Sequence, residues 1–161
     1  MKNLKAILNK SLEIVCVLLF VFITIVGLYQ ITTRYVFNAP STISEELLTF
    51  AFTWMALLAA ALVFGKRDHM RMEYVANFLK GKASIILSIV SEVLILLFAA
   101  LVLVKGGIQI TQLTTLQTTA SLGVSMSYIY VIVPISGILI VLYNFINISE
   151  LVSQLKSEDC K

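Results

Sequence analysis

"LEIVCVLLFVFITIVGLYQITT", residues 12–33, carries a single charge, Glu13, in a run long enough to cross a bilayer as a helix. About 20 helical residues span the roughly 30 Å hydrocarbon slab. Three similar runs follow, near residues 45–64, 84–104 and 128–148. None shows the alternation of a membrane β-strand, and an unbroken apolar run in lipid satisfies its backbone by becoming helical. Of 161 residues, 59 % are hydrophobic and only 13 % charged, against roughly 25 % charged in a soluble domain. The expected fold is an all-α membrane protein. Four transmembrane helices form one domain over residues 1–161, with short amphipathic interfacial helices on the cytoplasmic side.

The first run has the basic start of a signal peptide, in Lys2, Lys5 and Lys10. Its apolar part is too long, however, and it continues into "GLYQITTRY" without a small-x-small cleavage pattern, so it reads as a retained span. Orientation follows from the positive charges. Ten Lys and Arg fall at the N-terminus, the second connection and the C-terminus, while Arg34 and Lys105 alone lie on the other face. The positive-inside rule then places both termini in the cytoplasm. The net charge of +3 is therefore a topology signal. It points to anionic membrane lipids as neighbours and not to nucleic acid. Cys16 falls early in the first span and Cys160 in the cytoplasmic tail, so no disulfide between them is expected, and neither has a His or Asp cluster for a metal.

Two segments have the pattern of helices lying on the cytoplasmic surface. Leu4, Ile7, Leu8 and Leu12 share one face of residues 1–12. Met72, Val75, Ala76 and Leu79 do the same in "MRMEYVANFLKGK". The first of these fits an ordinary helix end equally well. The third connection, rich in Thr and Gln, extends the third helix, with Gly123 marking a turn before the fourth span. Pro134 kinks that span or sits near its start.

Polar residues inside spans are costly unless they face protein or water. Glu13, Thr24, Gly27, Gln30 and Arg34 lie within about a third of the first helix's circumference, at about 100° per residue. Glu45, Thr49, Thr53, Ala56 and Ala60 line one face of the second, and Ser84, Ser88, Ser91 and Glu92 cluster in the third. Stripes of small and hydroxylated residues suit close helix packing in lipid, either within the bundle or onto another membrane protein. Glu92, placed near the middle of its span, is either an ion-coupling group or a hydrogen-bonded glutamate at a helix contact. No buried partner in a neighbouring span completes an ion pathway.

His69, the single histidine, falls in a basic loop and so does not supply the axial ligands of a haem-bearing anchor. No nucleophile–base pair, phosphate loop or metal constellation stands out. The chain is not read as an enzyme, and no cofactor is expected. The Asn147–Ser149 glycosylation motif falls at the cytoplasmic end of a span and is set aside. A complete transporter places solute between repeats, at broken helices. This chain has too few buried polar groups for that, which favours an accessory subunit. The alternative is a self-assembling channel or small efflux transporter, with Glu92 lining its pathway.

"RYVFNAP" from Arg34, then "SEELLTFAFTW" from Ser44, then "HMRMEYV" from His69 occur in that order. Together they resemble the small membrane subunit of tripartite ATP-independent periplasmic (TRAP) transporters. That family shows Arg-Tyr-x-Phe-Asn, a proline, Ser-Glu-Glu, a tryptophan in the second helix and His-Ile-x-Val-Asp in the cytoplasmic loop. Here Arg34, Tyr35, Asn38, Pro40, Ser44, Glu45, Glu46, Trp54 and His69 match. Ile43 replaces an aromatic, and Met70, Met72 and Glu73 stand where Ile, Val and Asp are usual. The resemblance implies the non-catalytic subunit of a sodium-driven importer in the bacterial inner membrane. Its partners there are a large multi-span membrane subunit of elevator type, which it scaffolds, and a periplasmic substrate-binding protein, which it helps to dock. The substrates are carboxylate-bearing solutes, with sialic acid favoured over C4-dicarboxylates.

The connection itself has a physical reading. Arg34 ends the first helix, and Glu45 and Glu46 open the second, where carboxylates favour the helix dipole. Asn38 and Pro40 suit a tight turn between them. An arginine some ten residues away can reach those carboxylates, so an Arg34–carboxylate clamp is expected to pin the two helices into a rigid corner. Trp54, deep in the second span, is expected to pack on a neighbouring helix.

Overall fold

The computed structural model describes residues 2–66 and 82–158. Two long helices open the chain, α1 (Lys2–Tyr35) and α2 (Thr42–Lys66). Helix α3 (Lys82–Phe98) runs on through a π-helical stretch, Ala99–Gly106, into α4 (Gly107–Leu113). A short α5 (Ser127–Tyr130) then leads into α6 (Ile132–Glu158). Among the described residues, four segments are long and apolar enough to cross a membrane: Lys5–Tyr35, Thr42–Lys66, Ile86–Leu113 and Ser127–Ser153. All four outrun the apolar runs of the sequence, because a helix ends where its backbone is capped or broken and not where hydropathy falls.

The N-terminal segment shows this directly. It is not a separate surface helix but the opening turns of α1, since no proline interrupts the chain between Lys2 and Tyr35. The second amphipathic segment, with His69, lies outside the described residues.

At its other end, α1 closes through the Val36 N–H on the Thr32 carbonyl at 2.9 Å and the Ala39 N–H on the Thr33 carbonyl at 3.1 Å. Asn38 takes the left-handed conformation there, φ 51°, which asparagine tolerates better than other side-chain-bearing residues. Helix α2 then starts on Ser41, whose Oγ accepts the Ser44 N–H at 3.4 Å, an N-cap arrangement. Pro134 is the third residue of α6, where a missing N–H costs no intrahelical bond.

Helix α6 is the centre of the bundle. It packs on α2 on one side and on α3 with its π-helical continuation on the other, while α1 packs chiefly on α2. The spans thus neighbour one another in the order α1, α2, α6, α3. One apolar cluster joins Leu12, Leu58, Ile132 and Tyr143 across α1, α2 and α6. A second joins Ala61, Ala99 and Ile140 across α2, the π-helical stretch and α6. Small residues permit the closest crossings. A Cβ on Gly137 would stand 2.7 Å from the Leu103 Cβ, and one on Gly107 would stand 2.9 Å from the Pro134 ring.

Candidate functional site

Polar contacts concentrate at the two ends of the bundle. At the end away from the chain termini, Glu46 projects from the second turn of α2. Its Oε2 accepts the backbone N–H of Ser121 at 3.0 Å and of Leu122 at 2.9 Å. Those amides are aimed by a loop that closes on itself. Thr119 N–H donates to the Val124 carbonyl at 2.8 Å, and Val124 N–H to the Thr119 Oγ1 at 3.1 Å. Gly123, at φ +64°, makes the reversal. Met126 N–H reaches the Gln117 carbonyl at 2.8 Å, and the Ser125 hydroxyl donates to the Thr115 carbonyl at 2.9 Å. Two N–H donors on one carboxylate oxygen are charge-assisted bonds, stronger than neutral ones.

The Arg34–carboxylate clamp expected from the sequence does not form among the described residues. Arg34 is exposed at the end of α1, Glu45 is exposed in the first turn of α2, and Glu46 is held by the third connection instead. The physical reason is local. Preorganised backbone donors cost no long side chain its rotamer freedom, whereas an exposed arginine must give that up. Tyr35, Asn38 and Pro40 are likewise exposed, so the corner faces outward; Ser44 is buried, its hydroxyl on the Ser41 carbonyl at 3.2 Å. Trp54 donates its indole N–H to the Ile129 carbonyl at 3.1 Å, tying the middle of α2 to α5.

At the end that carries the termini, all four spans meet on one side chain. Asn147, fully buried on α6, accepts the Lys5 Nζ of α1 at 2.8 Å. Its amide nitrogen donates to the Phe64 carbonyl of α2 at 3.3 Å and to the Glu92 Oε1 of α3 at 3.4 Å. The polarity is consistent along the chain of bonds: the ammonium meets the amide oxygen, and the amide N–H groups meet the carboxylate. Glu92 therefore sits six residues into the span Ile86–Leu113, level with the end of α2, and not near mid-span. The sequence placed it deeper because the apolar run stops near residue 104, whereas the helix continues to Leu113. Beside this node, Lys66 and Glu13 pair across α2 and α1, both partly exposed.

The hydroxyl stripes of the first two spans turn back on their own helices. Thr24 donates to the Phe20 carbonyl at 2.8 Å, Thr49 to Glu45 at 3.0 Å and Thr53 to Thr49 at 2.8 Å. Thr24, Thr49, Thr53 and Ala56 are exposed, and a Cβ on Gly27 would meet nothing within 4 Å. From Glu13 to Tyr35 no residue of α1 is fully buried. The polar stripes of the first two spans thus lie on outward faces, while Ser121, Leu122 and Asn147 make contacts between segments and Ser41 caps α2. Nothing in the hydropathy pattern singles these out, although Ser41 stands at the position where an N-cap serine is favoured.

The family model for the DctQ component of tripartite ATP-independent periplasmic transporters matches residues 23–154. The sialic acid TRAP transporter small permease protein SiaQ of Vibrio cholerae is 32 % identical over 143 residues, 88 % of this chain and 81 % of its own. A Haemophilus influenzae protein named for the small permease of a TRAP transporter is 29 % identical over 140 residues, 87 % of this chain and 86 % of its own. A second Haemophilus influenzae protein of the same name is 26 % identical over 154 residues, 96 % of this chain and 91 % of its own.

Proposed function

The chain belongs to the DctQ family of TRAP transporter small permease components, and on that premise we propose that it is the scaffold of a solute importer. Members of this family are permease subunits and not enzymes. In the proposed assembly, the outward faces of α1 and α2 receive a large multi-span membrane subunit. The observation that carries this is the stripe of Thr24, Gly27, Thr49, Thr53 and Ala56 on those exposed faces. Lipid tails gain nothing from small and hydroxylated residues, whereas a second helix approaches closely over them.

The corner formed by Arg34, Tyr35, Asn38 and Pro40 is proposed to meet the periplasmic binding protein, alone or with the large subunit. Its support is position: it lies at the end opposite the termini, next to the loop that Glu46 holds. The excess of Lys and Arg at the terminal end supports cytoplasmic termini in an inner membrane. Transport of the solute by the large subunit would draw on a sodium gradient. Sialic acid is favoured as solute over C4-dicarboxylates, supported by the relative named SiaQ.

Affinity purification in mild detergent from the native host tests the assembly. A stoichiometric large membrane protein is expected to co-purify. Recovery of this chain only as a homo-oligomer would refute the scaffold reading. Loss of the complex in Gly27→Trp, with the isolated chain still folded, would assign the face.

A further inference from the structure

Close to the Asn147 node, inside the bundle, polar atoms of Asn9, Tyr143 and Asn144 have no hydrogen-bond partner among the described residues. They are Asn9 Oδ1, Tyr143 Oη, and both Oδ1 and Nδ2 of Asn144. Tyr143 and Asn144 are 0 % exposed, so neither lipid nor a docked protein reaches them. A buried polar group left unmet is costly, and folded proteins leave few in that condition.

Two of these residues converge on one point. A Cβ built on Gly65 would stand 2.8 Å from Asn9 Oδ1 and 2.7 Å from the Tyr143 ring carbon that bears the hydroxyl. The phenol and the carboxamide oxygen therefore crowd round the same glycine, where α1, α2 and α6 meet. Asn144 points elsewhere. It precedes Asn147 by one helical turn and so shares the face that meets Phe64 and Glu92.

The chemistry of the set selects its occupant. A cation is coordinated by acceptors alone, and an anion by donors alone. Asn144 offers one of each, and the tyrosine hydroxyl can do either. Exchanging the amide atoms of Asn144 changes nothing, because both ends are unmet. Water is the small ligand that donates and accepts at once, and buried waters ordinarily make about three bonds to such groups.

We propose that the termini half of this bundle has a hydrated core. One water bridges Asn9 Oδ1 to the Tyr143 hydroxyl beside Gly65, and a second satisfies the Asn144 carboxamide. The hydrated core extends the Asn147 node inward and makes the meeting of α1, α2, α3 and α6 polar over more than one turn. It does not depend on the solute or on the partner chains.

Hydroxyl-radical footprinting by X-ray radiolysis tests this on the full chain in detergent, since radicals form from bound water and modify adjacent aromatic rings. Tyr143 is expected to be oxidised together with the exposed Tyr35 and Tyr128. An unmodified Tyr143 alongside labelled Tyr35 and Tyr128 would overturn the proposal. In Asn9→Leu the Tyr143 label is expected to be lost, and its full retention would count against the bridging water. Asn144→Leu separates the alternatives by stability. Removing a solvated carboxamide lowers the melting temperature, whereas removing an unmet one from a dry core raises it. A rise would refute the second water. Where a variant does not fold, the wild-type label alone decides.

Discussion

The Glu46 carboxylate and the Leu122 backbone N–H, 76 positions apart, are hydrogen-bonded at 2.9 Å, and the Ser121 N–H joins them at 3.0 Å. One side chain of α2 thereby holds the connection between the third and fourth spans. Bonds of this kind to a charged acceptor are each worth about 1.5–3 kcal/mol when buried. Here the glutamate is half-exposed, and about 1–2 kcal/mol for the pair is a fairer figure. Glu46→Ala is expected to speed amide hydrogen exchange at Ser121 and Leu122 by about 5–30-fold. Glu46→Gln, which keeps an acceptor oxygen, falls between that variant and the wild type. Unchanged exchange in Glu46→Ala would show that the loop holds itself.

Asn147 is the side chain on which Lys5, Phe64 and Glu92 converge. Asn147→Ala deletes three contacts between helices at once. Interhelical hydrogen bonds in membranes average about 0.6 kcal/mol each, and a cavity in a buried site adds to the loss. The expected cost is about 2–3 kcal/mol, visible as a lower unfolding midpoint of the purified chain. Asn147→Asp tests the polarity of the node. It replaces the donor that faces the Glu92 carboxylate with a second carboxyl group, and should be no better tolerated than alanine.

Gly137 and Gly27 should respond in opposite ways to the same methyl group. At Gly137 a Cβ would stand 2.7 Å from Leu103 Cβ and 3.1 Å from its backbone carbon, so α6 and the π-helical stretch must separate. Gly137→Ala is expected to cost about 1–3 kcal/mol by overpacking. Gly27 has nothing within 4 Å of that position. There, Gly27→Ala adds about 0.5–1 kcal/mol of helix stability. Unfolding of the isolated chain measures both.

Trp54 is the single tryptophan of the chain, and its indole N–H bonds the Ile129 carbonyl at 3.1 Å. Trp54→Phe keeps most of the apolar contact and removes that donor. The expected loss is about 0.5–1.5 kcal/mol. Within the wild type, emission from this one indole reports α5 leaving α2. Its shift on heating should precede or coincide with global unfolding, and a later shift would place the α2–α5 contact in the most stable part of the bundle.

The Lys66–Glu13 pair provides a contrast. Its side chains are 40 % and 45 % exposed, and exposed ion pairs contribute about 0–1 kcal/mol. Glu13→Gln is expected to leave the unfolding midpoint nearly unchanged. A loss as large as that of Asn147→Ala would mean that this pair, and not the asparagine, ties α1 to the bundle.

Four helical spans were legible from residues 12–33 outward because lipid leaves a continuous apolar run little else to become. Composition alone therefore decides the fold class. The turn at Asn38 could also be read, since left-handed backbone selects residue types locally, whereas α2 starts on Ser41, ahead of the run expected from residue 45. Glu46 marks the limit of such reading. Its acidity and its place near a helix start were plain, and the nearest arginine in sequence was the natural partner to assign. The donors it uses are backbone N–H groups, which every residue except proline carries and which no side-chain pattern reveals.

The same limit applied to Glu92 and Asn147. Where an apolar run ends is written in the sequence, but where a helix ends is decided by what it packs against. The helix that begins at Lys82 continues through Gly106 and Gly107 because Gly137 and Pro134 lie against it. Periodicity marks the faces of each helix, yet small residues look the same whether they face the bundle or its surroundings. The sequence by itself thus determined the number of spans, their helical nature and the charge asymmetry between the two ends. Tertiary structure alone decided which buried groups meet, because hydrogen bonds form between atoms brought within about 3 Å by packing, across separations that local chemistry does not encode.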